Sequence, residues 1–245
     1  MKAYGITDIG RNRSINQDYV FVSTEAVGNL PNLFVVADGM GGHKSGDYAS
    51  KRTTEIVLES IEENRDKSIE SVITKAISDA NAYIYRKSQS DEVYQGMGTT
   101  LVIATIVDGQ LITANIGDSR LYLISDGKIR QITEDHSLVA EMFQLGQITA
   151  KEAREHPDKN IITRAVGTGS FVKADFFKTT LHARDQVLMC SDGLTNMLED
   201  EVILQVASAD ADITDKASAM VNRANQEGGK DNIAVIIIEP ELGEV

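Results

Sequence analysis

The sequence predicts an α+β protein in which antiparallel sheets are covered by helices. Two observations carry this. Short apolar runs follow one another with Asp-Gly pairs between them, and long one-faced helical stretches are grouped between those runs. A wound parallel sheet would instead alternate strand and helix throughout. The strand candidates are YVFVS (19–23), LFVVA (33–37), TTLVIATIV (99–107), QLITANIG (110–117), RLYLIS (120–125) and KIRQIT (128–133). ADFFKTTL (174–181), QVLMCS (186–191) and IAVIIIE (233–239) follow later. Asp108-Gly109 and Asp126-Gly127 separate consecutive runs, and Asp-Gly supplies the positive φ angles of a two-residue hairpin turn.

The helices show a different period. Ile69, Val72, Ile73, Ala76, Ile77, Ala80 and Ile84 recur at the three- and four-residue spacing of one helical face, predicting a helix over 69–84. Ala49, Ile56, Val57 and Ile61 predict another over about 46–63, and two more fall at about 200–208 and 214–226. Residues 137–168 hold helical scraps and no clear strand, which reads as a long excursion over one end of a sheet. There is no internal repeat or proline-rich linker, so residues 1–245 are expected to form one domain.

The chain carries 37 acidic and 24 basic residues, a formal charge of −13. Such a balance argues against nucleic-acid or anionic-membrane partners, whose phosphates it would repel, and suits a site that gathers divalent cations. The single cysteine, Cys190, excludes an intrachain disulfide and points to a reducing compartment. No signal peptide is expected, because the N-terminal MKAYGITDIGRNRSINQD has no long apolar stretch, and no membrane span, because no apolar run approaches the roughly 20 residues that one requires. A cytoplasmic location follows.

The most informative stretch is NLFVVADGMGGHKSGD (32–47), an apolar run that ends in an aspartate and a cluster of glycines. It is not a nucleotide P-loop, since His43 rather than glycine precedes Lys44-Ser45. It is not a dinucleotide fingerprint either, because Lys44 stands where the third glycine belongs. A tight turn and the rim of a metal site remain open from this stretch alone. Recurrence separates them. Asp118 and Asp192 also stand where apolar strands stop, and Asp231 stands just before the last strand, each with glycine nearby. Brought together, such carboxylates would cost several kcal/mol per ion unless cations compensate. All-oxygen ligands point to Mg²⁺ or Mn²⁺ rather than zinc, and a pair of such ions about 3.5–4 Å apart activates water toward phosphorus. Arg13, five residues ahead of Asp18, offers a guanidinium fork matched to phosphate oxygens.

The ordered motifs R-x-x-N-Q-D (13–18), ADGMGGH (37–43), GMGTT (96–100), NIGDSR (115–120), TEDHS (133–137), ITRAVG (162–167), CSDGL (190–194) and DNIAV (231–235) resemble the metal-dependent protein phosphatases, PPM or type 2C, in their compact bacterial form. The resemblance implies a four-layer αββα sandwich of two antiparallel sheets flanked by helix pairs, with a flap at 137–168 beside a metal cleft. It implies serine/threonine phosphoprotein hydrolysis by a metal-activated bridging water, without a phosphoenzyme. It assigns Asp38, Asp192 and Asp231 to one Mn²⁺ or Mg²⁺ ion, and Asp38 with the Gly39 carbonyl to a second. Asp118 and Asp192 would form a third site. Arg13 would hold the substrate phosphate, Asn232 would stand behind the ligands, and Asp18 would ligate directly or through water. Gln17 stands where some members carry a ligating glutamate, and Met40 where others carry a histidine, leaving His43 as a candidate general acid. The partners implied are phosphorylated proteins and a cognate serine/threonine kinase, with the chain monomeric.

Other phosphatase chemistries lack their residues. Met189 precedes Cys190 and Asn196 occupies the arginine position of a cysteine-nucleophile motif, so Cys190 reads as a buried strand residue. Asp38-Gly39-Met40 is not an aspartyl-phosphate motif, and His43, His136, His156 and His182 lack binuclear histidine patterns; His136 reads as structural. Two alternatives remain: a silent phosphatase-fold module that binds phosphoproteins, and a phosphatase dedicated to an anti-anti-sigma-type regulator. A silent module should lack a metal aspartate, and none is missing. The presence of Arg13 favours the general phosphoprotein phosphatases.

Overall fold

A computed structural model describes residues 1–42, 45–64 and 68–241. The chain runs through β1 (Lys2–Asp8), β2 (Asp18–Ser23), β3 (Leu33–Met40), α1 (Ser45–Glu63) and α2 (Ile69–Ser90). Next come β4 (Gly98–Thr99), β5 (Leu101–Val107), β6 (Gln110–Ile116), β7 (Arg120–Ser125) and β8 (Lys128–Gln131). The excursion carries α3 (Leu138–Gln144) and α4 (Ala150–Glu155). The last part holds β9 (Asp175–Thr180), β10 (Gln186–Cys190), α5 (Asp192–Thr195), α6 (Asp200–Ala207), α7 (Ile213–Gln226) and β11 (Ile233–Glu239). Among the described residues no helix is long and apolar enough to cross a membrane.

Both sheets are antiparallel. One has the order β1-β11-β10-β7-β8, and the other β2-β3-β5-β6-β9, with β4 paired to β3. The two predicted hairpins form: Val107 pairs Gln110, and Ser125 pairs Lys128. Asp108 and Gly109 have φ of 49° and 73°, and Asp126 and Gly127 have 48° and 70°, so both turn residues are left-handed as a type I′ turn requires.

Alternation along the central strands separates three apolar layers. Phe34 and Val36 point between the sheets, where they meet Val102, Leu121, Met189 and Ile236. Their neighbours Val35 and Ala37 face the other way, onto Val57, Ile61, Ile73 and Ala76 of α1 and α2. On the far side, Leu188, Val235 and Ile237 pack against Ile203, Ala217, Met220 and Val221 of α6 and α7. The result is the expected helix–sheet–sheet–helix stack. Strands covered on both faces read as unbroken apolar runs, which is why β3, β5 and β11 were legible.

Several boundaries differ from expectation. β1 was not anticipated; it pairs with β11 along its whole length, Lys2 opposite Glu239 through Asp8 opposite Ile233. β3 continues past Ala37 to Met40, because Gly39 and Met40 pair with Thr99 and Gly98 of β4. The run 99–107 is broken at Thr100, whose amide turns to the Asp38 carbonyl at 2.9 Å. α2 extends beyond Ile84 to Ser90 on a largely polar last turn.

The excursion leaves and returns at adjacent posts. Ser137 bridges Ile162, and the Leu138 amide donates to the Ile161 carbonyl at 2.9 Å. Within it, Ser137 caps α3, and Thr149 with Glu152 forms a capping box on α4.

Phe34 is wholly buried between the sheets. Phe34→Ala is expected to lower unfolding free energy by about 3–5 kcal/mol, read as a shifted urea midpoint at unchanged slope. A loss under about 1 kcal/mol would contradict tight packing between the two sheets.

Candidate metal centre

The predicted aspartates gather at one end of the stack. Asp18 opens β2 directly opposite Asp38 in β3. Asp118 follows β6, Asp192 follows β10 and Asp231 precedes β11. Glycines set how closely these segments approach. A Cβ on Gly39 would lie 2.0 Å from the Gly46 carbonyl oxygen, so any other residue would push β3 away from the start of α1. A Cβ on Gly193 would lie 1.8 Å from the Asn232 carbonyl oxygen, so the Asp192-Gly193 turn seats directly on the Asp231-Asn232 turn.

Hydrogen bonds lock the backbone around each aspartate. The Asp38 amide donates to Thr100 Oγ1 at 2.9 Å, and the Asp38 carbonyl accepts from Thr99 Oγ1 at 2.8 Å. The Gly39 amide donates to the Gln17 carbonyl at 3.0 Å. Asn196 Nδ2 donates to Asp192 Oδ2 at 2.8 Å, and the Asn232 amide donates to Asp231 Oδ1 at 2.8 Å. The Asn232 side chain staples the 9–17 loop: its Nδ2 donates to the Ile9 and Ile15 carbonyls, and its Oδ1 accepts from the Gln17 amide. That loop carries Arg13, whose Nη2 donates to Asp231 Oδ2 at 2.7 Å while half the side chain stays exposed. Asn232 therefore ties the 9–17 loop to the Asp231 turn, and Arg13 stands beside Asp231.

Burial and mutual repulsion raise the carboxyl pKa values. Asp18 is pushed up to about 7, by burial first and then by Asp192 and Asp231, although its bond to Ser191 opposes this. Asp192 is pushed up to about 6, by burial and then by Asp231. Asp38 lies well above the ordinary carboxylate range through burial and the charges of Asp18, Asp192, Asp118 and Asp231. Asp118 is raised likewise, by burial and then by Asp192 and Asp135.

Two oxygens, Asp18 Oδ1 and Asp118 Oδ1, are buried without a hydrogen-bond partner. Buried carboxylate oxygens without partners are costly, and a hard cation satisfies them. The donor set is oxygen throughout, so the residues fit Mg²⁺ or Mn²⁺. Among the described residues no three acidic, histidine or cysteine groups form a closed coordination set, and the aspartates make a looser ring.

A cleft of about 840 Å³ adjoins the ring, with Asp118 and Asp192 on its floor and α3, α4 and α6 along its walls. Arg154 of α4 reaches Glu199, just ahead of α6, at 2.6 Å across it. His136 has the structural role expected of it. Its Nδ1 accepts from the Gly117 amide and its Nε2–H donates to Asp175, both at 2.9 Å, holding the turn that presents Asp118. His43, the candidate general acid, lies outside the described residues. Sequence reading missed Ser191, Thr100 and Asn196, each a small polar residue beside an aspartate. A hydroxyl directly after the apolar run VLMC was the available signal for Ser191.

A double-sheet α+β stack with acidic residues gathered at one end is an arrangement suited to metal-assisted phosphoester hydrolysis. Residues 9–236 match the protein phosphatase 2C family, and the chain belongs to that family. It is 40% identical over 242 residues to the serine/threonine phosphatase stp of Listeria monocytogenes, covering 96% of this chain and 94% of that protein. The Streptococcus agalactiae serine/threonine phosphatase superposes with a TM-score of 0.90 at 37% identity, covering 96% of this chain and 98% of that one. The catalytic domain of the serine/threonine phosphatase PstP, solved in complex with two manganese ions, gives 0.84 at 30% identity, with 96% of each chain covered.

The raised carboxyl groups give a pH signature. A folded pKa above the unfolded value of 3.8 means that stability present at low pH is lost as pH rises, here through about 6 for Asp192 and about 7 for Asp18. Without divalent ions, wild type is expected to lose more stability than Asp192→Asn between pH 5 and 7.5, measured by urea midpoints. Parallel losses would show that Asp192 bears no such repulsion.

Proposed function

We propose that this chain hydrolyses phosphoserine and phosphothreonine on proteins, with residues 1–245 acting as one phosphatase domain. The observation that carries this reading is the convergence of Asp18, Asp38, Asp118, Asp192 and Asp231 at one sheet end, with two buried carboxylate oxygens left without partners. Asp38, Asp192 and Asp231 would hold one Mn²⁺ or Mg²⁺ ion, and Asp38, Asp18 and the Gly39 carbonyl a second. Asp118 with Asp192 would hold a third, weaker one. When bound, such ions lower the pKa of water and neutralise charge at phosphorus.

The chain's own residues supply position and selectivity. Arg13 spends one N–H on Asp231 and keeps others for a phosphate oxygen, which places the phosphoryl group beside the aspartate ring. The cleft beside Asp118 and Asp192 takes the polypeptide that carries it. A route without a phosphoenzyme is supported by the one thiol of the chain: Cys190 is wholly buried and pushed far above its usual range by burial. A monomer in the cytoplasm, acting on proteins phosphorylated by a cognate serine/threonine kinase, completes the reading.

Hydrolysis of a phosphothreonine peptide with Mn²⁺ is expected to fall to background in chelator and in Asp192→Ala. Full turnover in chelator would overturn the metal reading. Binding without turnover at any metal concentration would favour the silent phosphoprotein-binding module. For Arg13→Ala, KM is expected to rise about tenfold, equivalent to about 1.4 kcal/mol, with a smaller change in kcat. An unchanged KM would remove Arg13 from phosphate binding.

A further inference from the structure

Ser191 occupies the N-cap position of α5 but makes no cap hydrogen bond with its side chain. Serine in that place ordinarily spends its oxygen on an amide of the first turn. Here the hydroxyl is wholly buried and lies between two other groups: Ser191 Oγ is 2.6 Å from Asp18 Oδ2 and 2.9 Å from the Ala234 amide nitrogen. The directions are fixed by chemistry. An amide only donates, so the hydroxyl oxygen accepts from Ala234 and its proton is left for the carboxylate. The backbone holds the same register, with the Ser191 amide donating to the Ala234 carbonyl at 3.2 Å.

We infer that Ser191 is a positioning residue for the metal centre, fixing Asp18 so that one carboxylate oxygen is spent on Ser191 and the other, Oδ1, is presented to an ion. Asp18 begins β2 in one sheet and Ser191 follows β10 in the other, so this bond joins the two sheets at the site. Its partner oxygen is the buried Asp18 Oδ1 that has no hydrogen bond of its own. The Asp18 amide donates to Asn16 Oδ1 at 3.1 Å, which fixes the backbone, while Ser191 holds the carboxylate. Removing an outer partner of a ligating carboxylate ordinarily weakens metal affinity about 10- to 100-fold.

The inference rests on the reading that Asp18 serves an ion, and the test separates the two. Mn²⁺ binding to the full chain is measured by titration calorimetry for wild type, Ser191→Ala, Ser191→Cys and Asp18→Asn. Melting temperature is followed with chelator and with saturating Mn²⁺. Alanine leaves a small void and cysteine fills it with a larger, weakly donating group, so an effect common to both reports the lost donor and not a packing defect. Both Ser191 variants are expected to weaken at least one Mn²⁺ site by about tenfold or more, and to shrink the rise in melting temperature that Mn²⁺ produces. A purely structural Ser191 would lower the melting temperature equally with and without Mn²⁺ and leave the binding isotherm unchanged, which overturns the inference. If Asp18→Asn leaves Mn²⁺ binding unchanged, Asp18 is no ion ligand, and that reading falls together with the positioning role.

Discussion

Carboxylate repulsion at one end of two stacked sheets is the constraint around which this molecule is organised. Desolvated like charges cost several kcal/mol each, and no fold gathers them without a rigid frame and a compensating charge. The frame here is the apolar stack: Phe34, Val102, Leu121 and Ile236 fix the two sheets face to face. With the sheets fixed, the ends of β2, β3, β6, β10 and β11 are fixed too. The aspartates therefore owe their meeting chiefly to packing away from them, with the bond from Ser191 to the Asp18 carboxylate joining the two sheets at the site itself.

The second layer of organisation is backbone on backbone. Gly39 against the Gly46 carbonyl and Gly193 against the Asn232 carbonyl are contacts that leave no room for a Cβ, and Gly117 lies close under the Thr100 side chain. Around them, short polar side chains take up backbone amides and carbonyls, Thr99 and Thr100 at Asp38 and Asn232 at the 9–17 loop, while Asn196 donates to the Asp192 carboxylate itself. The division of labour is clear. Glycines set the distance between segments, and hydroxyls and amides set orientation.

This division explains what could be read from sequence. The Asp-Gly hairpins and the one-faced helix at 69–84 are written in local chemistry, and both formed as read. Asp38, Asp118, Asp192 and Asp231 were legible because each sits near a glycine at one end of an apolar run, whereas Asp18 was reached only through the family resemblance. β1 was not legible: its residues lie mostly half-buried and lack a sustained apolar run, and it is a strand because β11 offers it an edge. The break at Thr100 and the continuation of β3 through Met40 depend on pairing with β4, across some sixty positions of chain. Ser191 escaped notice for the same reason, since its partner Asp18 is 173 positions away. Turn chemistry and periodicity report on neighbours; tertiary hydrogen bonds leave only the faint trace of a polar residue in an apolar strand.

The excursion over the cleft has a consequence of its own. Ser137 and Ile162 bridge, so the body of the protein already holds the two ends of the segment between them. The entropy of closing that loop is met by the sheets, and it grows only slowly with loop length. Lengthening, shortening or rewriting the stretch would leave the aspartates and their glycine seats untouched while reshaping one wall of the cleft. The architecture thus makes the wall a cassette: lineages that share one hydrolytic centre are free to diverge in what they admit to it.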